Sequence, residues 1–250
     1  AFDDLALDPV RPGETETQTG VRLAQMRLDS PEAYRKSFAT ASARVGLAAR
    51  KGQAVLGGLL VDRRVGGRID PARIGFLGYS FGGAAGVEQA VDDRRIKAVA
   101  NLDGWLFGKS AQAVPHLPYL LVYIDEDFPP RAWLTSSSPG ERALALGCQI
   151  DHALHRALLA RPDFHWVRLP GMNHEDLSDR RFDRNWLQSL RSPSGTDDVF
   201  LTRKRNQAVV VRDFFDRYLK GHSAAAGLDS SLSSPVREAD LLPPAQGGNL

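Results

Sequence analysis

Positions 74 to 83 read Ile-Gly-Phe-Leu-Gly-Tyr-Ser-Phe-Gly-Gly, an apolar run that enters a Gly-x-Ser-x-Gly turn and leaves as an alanine-rich stretch from Ala84 to Val91. Asp70-Pro71 just upstream supplies a turn into the run. A strand, a reversal and a helix are thus required within one short segment, the context of a nucleophile elbow. Gly78 and Gly82 are expected to remove Cβ atoms that would collide where strand meets helix, and Gly83 to let the helix pack closely. Ser80 is expected to sit in a strained backbone conformation with its hydroxyl exposed. The rival, a glycine-rich turn with a solvent-facing serine, does not explain the flanking strand and helix patterns.

Three further strand-like runs follow, Ile96 to Leu102, Tyr119 to Ile124 and Phe164 to Leu169, each short and nearly continuously apolar. Helical patterns lie at 31–50, 51–64, 140–160 and 203–220, the first opening on Ser30-Pro31 and the last closing on Lys220-Gly221. Apolar strands alternating with helices predict an α/β fold: a mostly parallel sheet with helices on both faces. Residues 1–30 are polar and turn-rich, and residues 221–250 read as a loosely ordered tail, leaving 31–220 as the domain.

Composition narrows the function classes. Of 250 residues, 42% are hydrophobic and 25% charged, an ordinary globular balance. The 32 basic and 30 acidic residues are interspersed, giving a net charge of +2 and no basic face for nucleic acid. The one cysteine, Cys148, forms no internal disulfide and reads as a small buried residue. No run reaches the roughly 18 apolar residues of a membrane span, and no signal-peptide pattern opens the sequence. His152 and His155 share a helix face, but without a third ligand in register they read as exposed histidines, so no metal is expected.

In parallel sheets the chemistry collects at the carboxyl ends of the strands. Asp103 follows the second strand-like run, Asp125-Glu126-Asp127 the third, and His174 the fourth, in the loop Leu169-Pro170-Gly171-Met172-Asn173-His174. Ser80, an aspartate and His174 are the groups a serine nucleophile needs. The spacing alone leaves the acid open between Asp103 and Asp125 or Asp127.

The segment 70–83, then Asn101-Leu102-Asp103-Gly104-Trp105, then Gly171-Met172-Asn173-His174 with Asp176, resembles the plasma-type platelet-activating-factor acetylhydrolase branch of the α/β-hydrolase fold. Val211 to Leu219, with Phe214 and Phe215, is similar to that family's closing helix. The resemblance implies that the acid is Asp103, on a Leu-Asp-x-Trp pattern, and that Ser80, Asp103 and His174 form a triad. The Phe81 N–H, on the residue after the nucleophile, is expected to serve the oxyanion hole and Tyr79 to shape the substrate pocket, while Trp105, close to Asp103, either lines the acyl pocket or packs under the loop. Tyr79 stands where the family commonly has histidine. A His-Gly loop and the strands that precede the elbow in the family have no counterpart in residues 1–70, so part of the sheet is expected to be missing on that side.

The activity implied is hydrolysis of carboxylic esters, including short-acyl phospholipid or lipid-like esters, without metal or organic cofactor, on a small-molecule substrate. A peptidase or thioesterase on the same fold, or a non-catalytic binding protein, are the alternatives, because a triad does not choose its leaving group.

Overall fold

A computed structural model describes residues 31–179, 195–222, 228 and 232–244. The polar segment 1–30, with the Ser30 cap, lies outside these residues. In chain order the main elements are α1 (Pro31–Val61), β1 (Ile74–Tyr79), α2 (Phe81–Asp92), β2 (Ile96–Leu102), β3 (Tyr119–Tyr123), α3 (Pro139–Arg156), β4 (Phe164–Arg168), α4 (Gly195–Lys220) and β5 (Ser234–Pro235).

The strands form one sheet in the order β1-β2-β3-β4-β5, the first four parallel and β5 antiparallel to β4. Every residue of β2 and β3 is buried except Lys97, as expected where helices cover both faces of a parallel sheet. Side chains alternate between the two faces. Ala98, Ala100, Leu102, Leu120, Val122 and Val167 meet Val210, Val211 and Phe214 of α4. Val99, Tyr119, Leu121, Tyr123, Phe164 and Trp166 form the opposite core with Val87 and Ala90 of α2. Phe214 and Phe215 both pack in the core on the α4 side, Phe214 being fully buried.

Three expectations differ from the structure. Residues 31–64, read as two helical segments, form the single helix α1 through Val61. Gly52 lies inside it, where the absence of a Cβ, which would meet the Gln89 side chain, lets α1 cross close to α2. Second, β1 is not a buried strand. Half-buried and exposed positions alternate along it, and Leu77 is 52% exposed, because β2 is its only strand neighbour among the described residues. Third, residues 232–244 are not a loose tail. Val236 N–H donates to the Trp166 carbonyl (2.8 Å), and Val236, Leu241 and Leu242 are buried. The Ala, Ser, Gly and Pro content of the segment conceals these few apolar anchors.

Candidate active site

The carboxyl edge of the sheet is built as a stair, in which the backbone N–H after one strand bonds to the carbonyl near the end of the next. Ser80 N–H donates to Leu102 O (2.7 Å), Asp103 N–H to Val122 O (2.8 Å) and Asp125 N–H to Met172 O (2.8 Å). The first two bonds extend the parallel ladder by a step, and the third ties the chain after β3 to the loop after β4.

At the first step, Ser80 has φ 53° and ψ −125°, an unfavourable conformation for a residue with a side chain. The chain turns there directly into α2, with the Ser80 carbonyl accepting from Gly83 N–H (2.9 Å) and Ala84 N–H (3.2 Å). A Cβ at Gly78 would collide with the Gly82 and Gly83 backbone, whereas one at Gly82 would meet nothing within 4 Å. The steric requirement anticipated for both glycines therefore falls on Gly78.

Asp103, at the second step, is the other non-glycine residue with positive φ (54°) among the described residues. The loop after β4 reaches back over both. Gly171, at φ 72°, turns the chain, its N–H donating to Asp125 Oδ2 (2.7 Å) and its carbonyl accepting from Arg203 (2.8 Å). Asn173 and Asp176 exchange hydrogen bonds, Asp176 N–H to Asn173 Oδ1 (2.9 Å) and Asn173 N–H to Asp176 Oδ2 (3.3 Å). The loop is thus held at both ends.

This brings His174 between the other two groups. Its Nδ1 lies 2.6 Å from Asp103 Oδ2 and its Nε2 lies 3.2 Å from Ser80 Oγ. With a proton on Nδ1 donated to the carboxylate, Nε2 is left to accept from the serine hydroxyl. Asp103 is the carboxylate at His174, while Asp125 spends its own on the Gly171 N–H. Tyr79 stacks obliquely on the imidazole, ring centroids 4.8 Å apart. Phe81 begins α2, within an aromatic group that also holds Phe38, Trp105 and Phe107.

The hydrogen bond that His174 donates to Asp103 raises the His174 pKa above its ordinary 6.5, against the opposing effect of burial, with further help from the charges of Asp103, Glu175 and Glu126. Burial raises that of Asp103 above 3.8, against the pull of the imidazole, and the Asp151 carboxylate adds to the rise. No group of three or more histidine, cysteine or acidic side chains that could hold a metal occurs among the described residues.

His152 and His155 are completely buried rather than exposed. They lie on the inner face of α3, where His152 Nδ1 accepts from Leu242 N–H (3.0 Å) and His155 Nε2 meets Tyr119 Oη (3.2 Å). Desolvation lowers the pKa of His152 to about 4. Cys148 is buried, as anticipated, and desolvation pushes its thiol up to about 12. A polar chain runs behind Asp103 from Asn101 through Tyr119 and His155 to the Asp151 carbonyl, and its one signal in the sequence is an asparagine inside an otherwise apolar strand.

Residues 43–130 match the family model of platelet-activating factor acetylhydrolase, isoform II. Among solved structures, the chain is similar to a ferulic acid esterase from Streptomyces cinnamoneus, with 25% sequence identity and a TM-score of 0.52 over 79% of this chain. The chain spans 56% of that protein's length. No curated protein matches the chain. No helix among the described residues is long and apolar enough to cross a membrane.

Proposed function

We propose that this chain, which belongs to the α/β-hydrolase fold on its platelet-activating-factor acetylhydrolase-like branch, is a serine ester hydrolase with Ser80 as nucleophile, His174 as general base and acid, and Asp103 as the orienting acid. The observation that supports it is the His174 imidazole, 2.6 Å from Asp103 and 3.2 Å from Ser80.

The chemistry runs through an acyl-enzyme. Ser80 Oγ attacks the ester carbonyl as its proton passes to His174 Nε2; the Asp103 carboxylate holds the other nitrogen and stabilises the imidazolium. The Phe81 N–H, on the residue after the nucleophile, donates to the developing oxyanion. His174 returns the proton to the departing alcohol and the acyl group stays on Ser80. Water then attacks that carbonyl, again giving a proton to His174, and release of the carboxylic acid regenerates the Ser80 hydroxyl.

Short-acyl lipid-like esters are the substrate class that the family match favours. An aromatic acyl group is a second reading, supported by the rings beside the elbow: Phe38 and Phe81 lie 5.7 and 6.3 Å from Phe107, and Trp105 packs with them. Tyr79 and Trp105 are the proposed pocket residues. Nitrophenyl esters of rising chain length, run beside a hydroxycinnamate ester, separate the two, since a lipid-like preference gives turnover on the former and little on the latter. A fluorophosphonate probe tests the nucleophile directly. Labelling of wild type and not of Ser80→Ala is expected, and equal labelling of both would refute the assignment.

A further inference from the structure

At φ 54° Asp103 holds a backbone conformation unfavourable for a residue with a side chain, so it needs support from its surroundings. Asn101, fully buried two residues earlier in β2, reaches around the turn. Its Oδ1 accepts from Gly104 N–H (2.9 Å) and its Nδ2 donates to Gly104 O (2.7 Å), so both backbone groups of the residue after Asp103 are tied to one amide. The other Nδ2 hydrogen goes to Tyr119 Oη (3.0 Å).

These bonds leave the amide one orientation, because a flipped amide would set donor against donor at Gly104 N–H and oxygen against oxygen at its carbonyl. The same logic runs deeper into the protein. Tyr119 Oη, already accepting from Asn101, sends its proton to His155 Nε2 (3.2 Å). His155 then carries its proton on Nδ1 and donates it to the Asp151 carbonyl (2.9 Å). All four residues are at most 3% exposed, and desolvation raises the Tyr119 pKa, keeping that proton in place. The amide sits in a notch between elbow and acid turn. A Cβ on Gly83 or on Gly104 would collide with Asn101 Oδ1, and one on Gly104 would also strike the Ser80 carbonyl.

We propose that Asn101 is a positioning residue whose amide, oriented from behind by Tyr119 and His155, holds Asp103 in the left-handed turn that aims its carboxylate at His174 Nδ1. The proposal rests on Asp103 and His174 being the working pair described above, and its test separates the two.

The variants are Asn101→Ala and the near-isosteric Tyr119→Phe, each made in the full chain. Proton NMR of the wild type reads the far-downfield resonance of the His174 Nδ1–H bonded to Asp103, identified by its loss in Asp103→Asn and His174→Ala. Asn101→Ala is expected to shift or abolish that resonance and to lower kcat on nitrophenyl acetate about 10²-fold, the scale of a small misplacement of reacting groups, with KM within twofold. Tyr119→Phe keeps the clasp on Gly104 and is expected to do the same more weakly. A folded Asn101→Ala with resonance and kcat unchanged overturns the proposal. Should that variant not fold, an unchanged resonance and kcat in Tyr119→Phe overturn it instead. A wild type that shows the resonance but hydrolyses no ester defeats the ester-hydrolase reading alone, because the resonance still judges Asn101.

Discussion

Ser80, Asp103 and His174 are brought together by backbone bonds at successive strand ends, so the side chains themselves can be exchanged with little disturbance. Ser80→Ala removes a single oxygen from a half-buried site and is expected to abolish ester turnover while leaving the thermal midpoint nearly unchanged; retention of a tenth of wild-type turnover would exclude Ser80 as nucleophile. Asp103→Asn should lower kcat by about 10³–10⁴-fold, the scale of a lost triad acid. Asp125→Asn should cost little, since an amide oxygen can still accept from Gly171 N–H. The pH profile gives an independent check. His174 must be neutral to act as base, and the hydrogen bond it donates to Asp103 raises its pKa, so kcat/KM should rise with pH through a midpoint above 6.5. In Asp103→Asn, where that bond to a carboxylate is gone, the midpoint of any residual activity should move down. A midpoint that stays put would show that another group governs it.

At the scale of elements, the elbow depends on how closely β1 approaches α2. The three atoms nearest a methyl group at Gly78 are all backbone, and backbone cannot swing away as a flexible side chain can. Gly78→Ala is therefore expected to destabilise the protein by about 1–3 kcal/mol, the scale of overpacking, read as a lower urea midpoint. Gly82→Ala, where nothing lies within 4 Å, should shift the midpoint much less. Equal shifts would mean that the elbow accommodates a Cβ at either position. The loop after β2 has its own anchor: Glu88 of α2 is buried and accepts from Lys109 N–H (3.2 Å) and Ser110 N–H (2.8 Å), holding the chain that follows Trp105 against the helix.

Across the whole molecule, the segment after α4 closes the face that α3 presents. Leu242 N–H donates to His152, Leu242 O accepts from Arg156 (2.6 Å), and Pro243 O accepts from Gln149 (2.7 Å), while Val236 packs beside Trp166. Deleting residues 223–250 would expose the apolar surface beneath Val236, Leu241 and Leu242 and leave His152 Nδ1 without its donor. A loss of roughly 2–4 kcal/mol in unfolding free energy is expected. Chemical denaturation of the two chains measures it, and an unchanged midpoint would mean that the segment only rests on the surface. At the opposite edge of the sheet, β1 pairs with β2 alone among the described residues.

Local pattern was enough to mark the elbow, the later strands and the residues at their carboxyl ends, because a parallel strand buried on both faces must be apolar along its length and the turn at Ser80 excludes a Cβ at Gly78. It does not choose the acid among Asp103, Asp125 and Asp127, since all three are aspartates that follow strands, and only the family resemblance points to Asp103. Which carboxylate meets His174 depends on the stagger of β2, β3 and the Gly171 loop, a relation between segments far apart in sequence. The burial of His152 and His155, invisible in their helical spacing, follows from the side of α3 that faces the sheet and from Leu242 returning to cover it. Asn101 is the sharpest case. One polar residue in an apolar strand signals only that a partner is required, and the fold supplies Gly104, Tyr119 and the notch at Gly83, because hydrogen-bond partners of a buried amide are chosen by packing in three dimensions and not by neighbours along the chain.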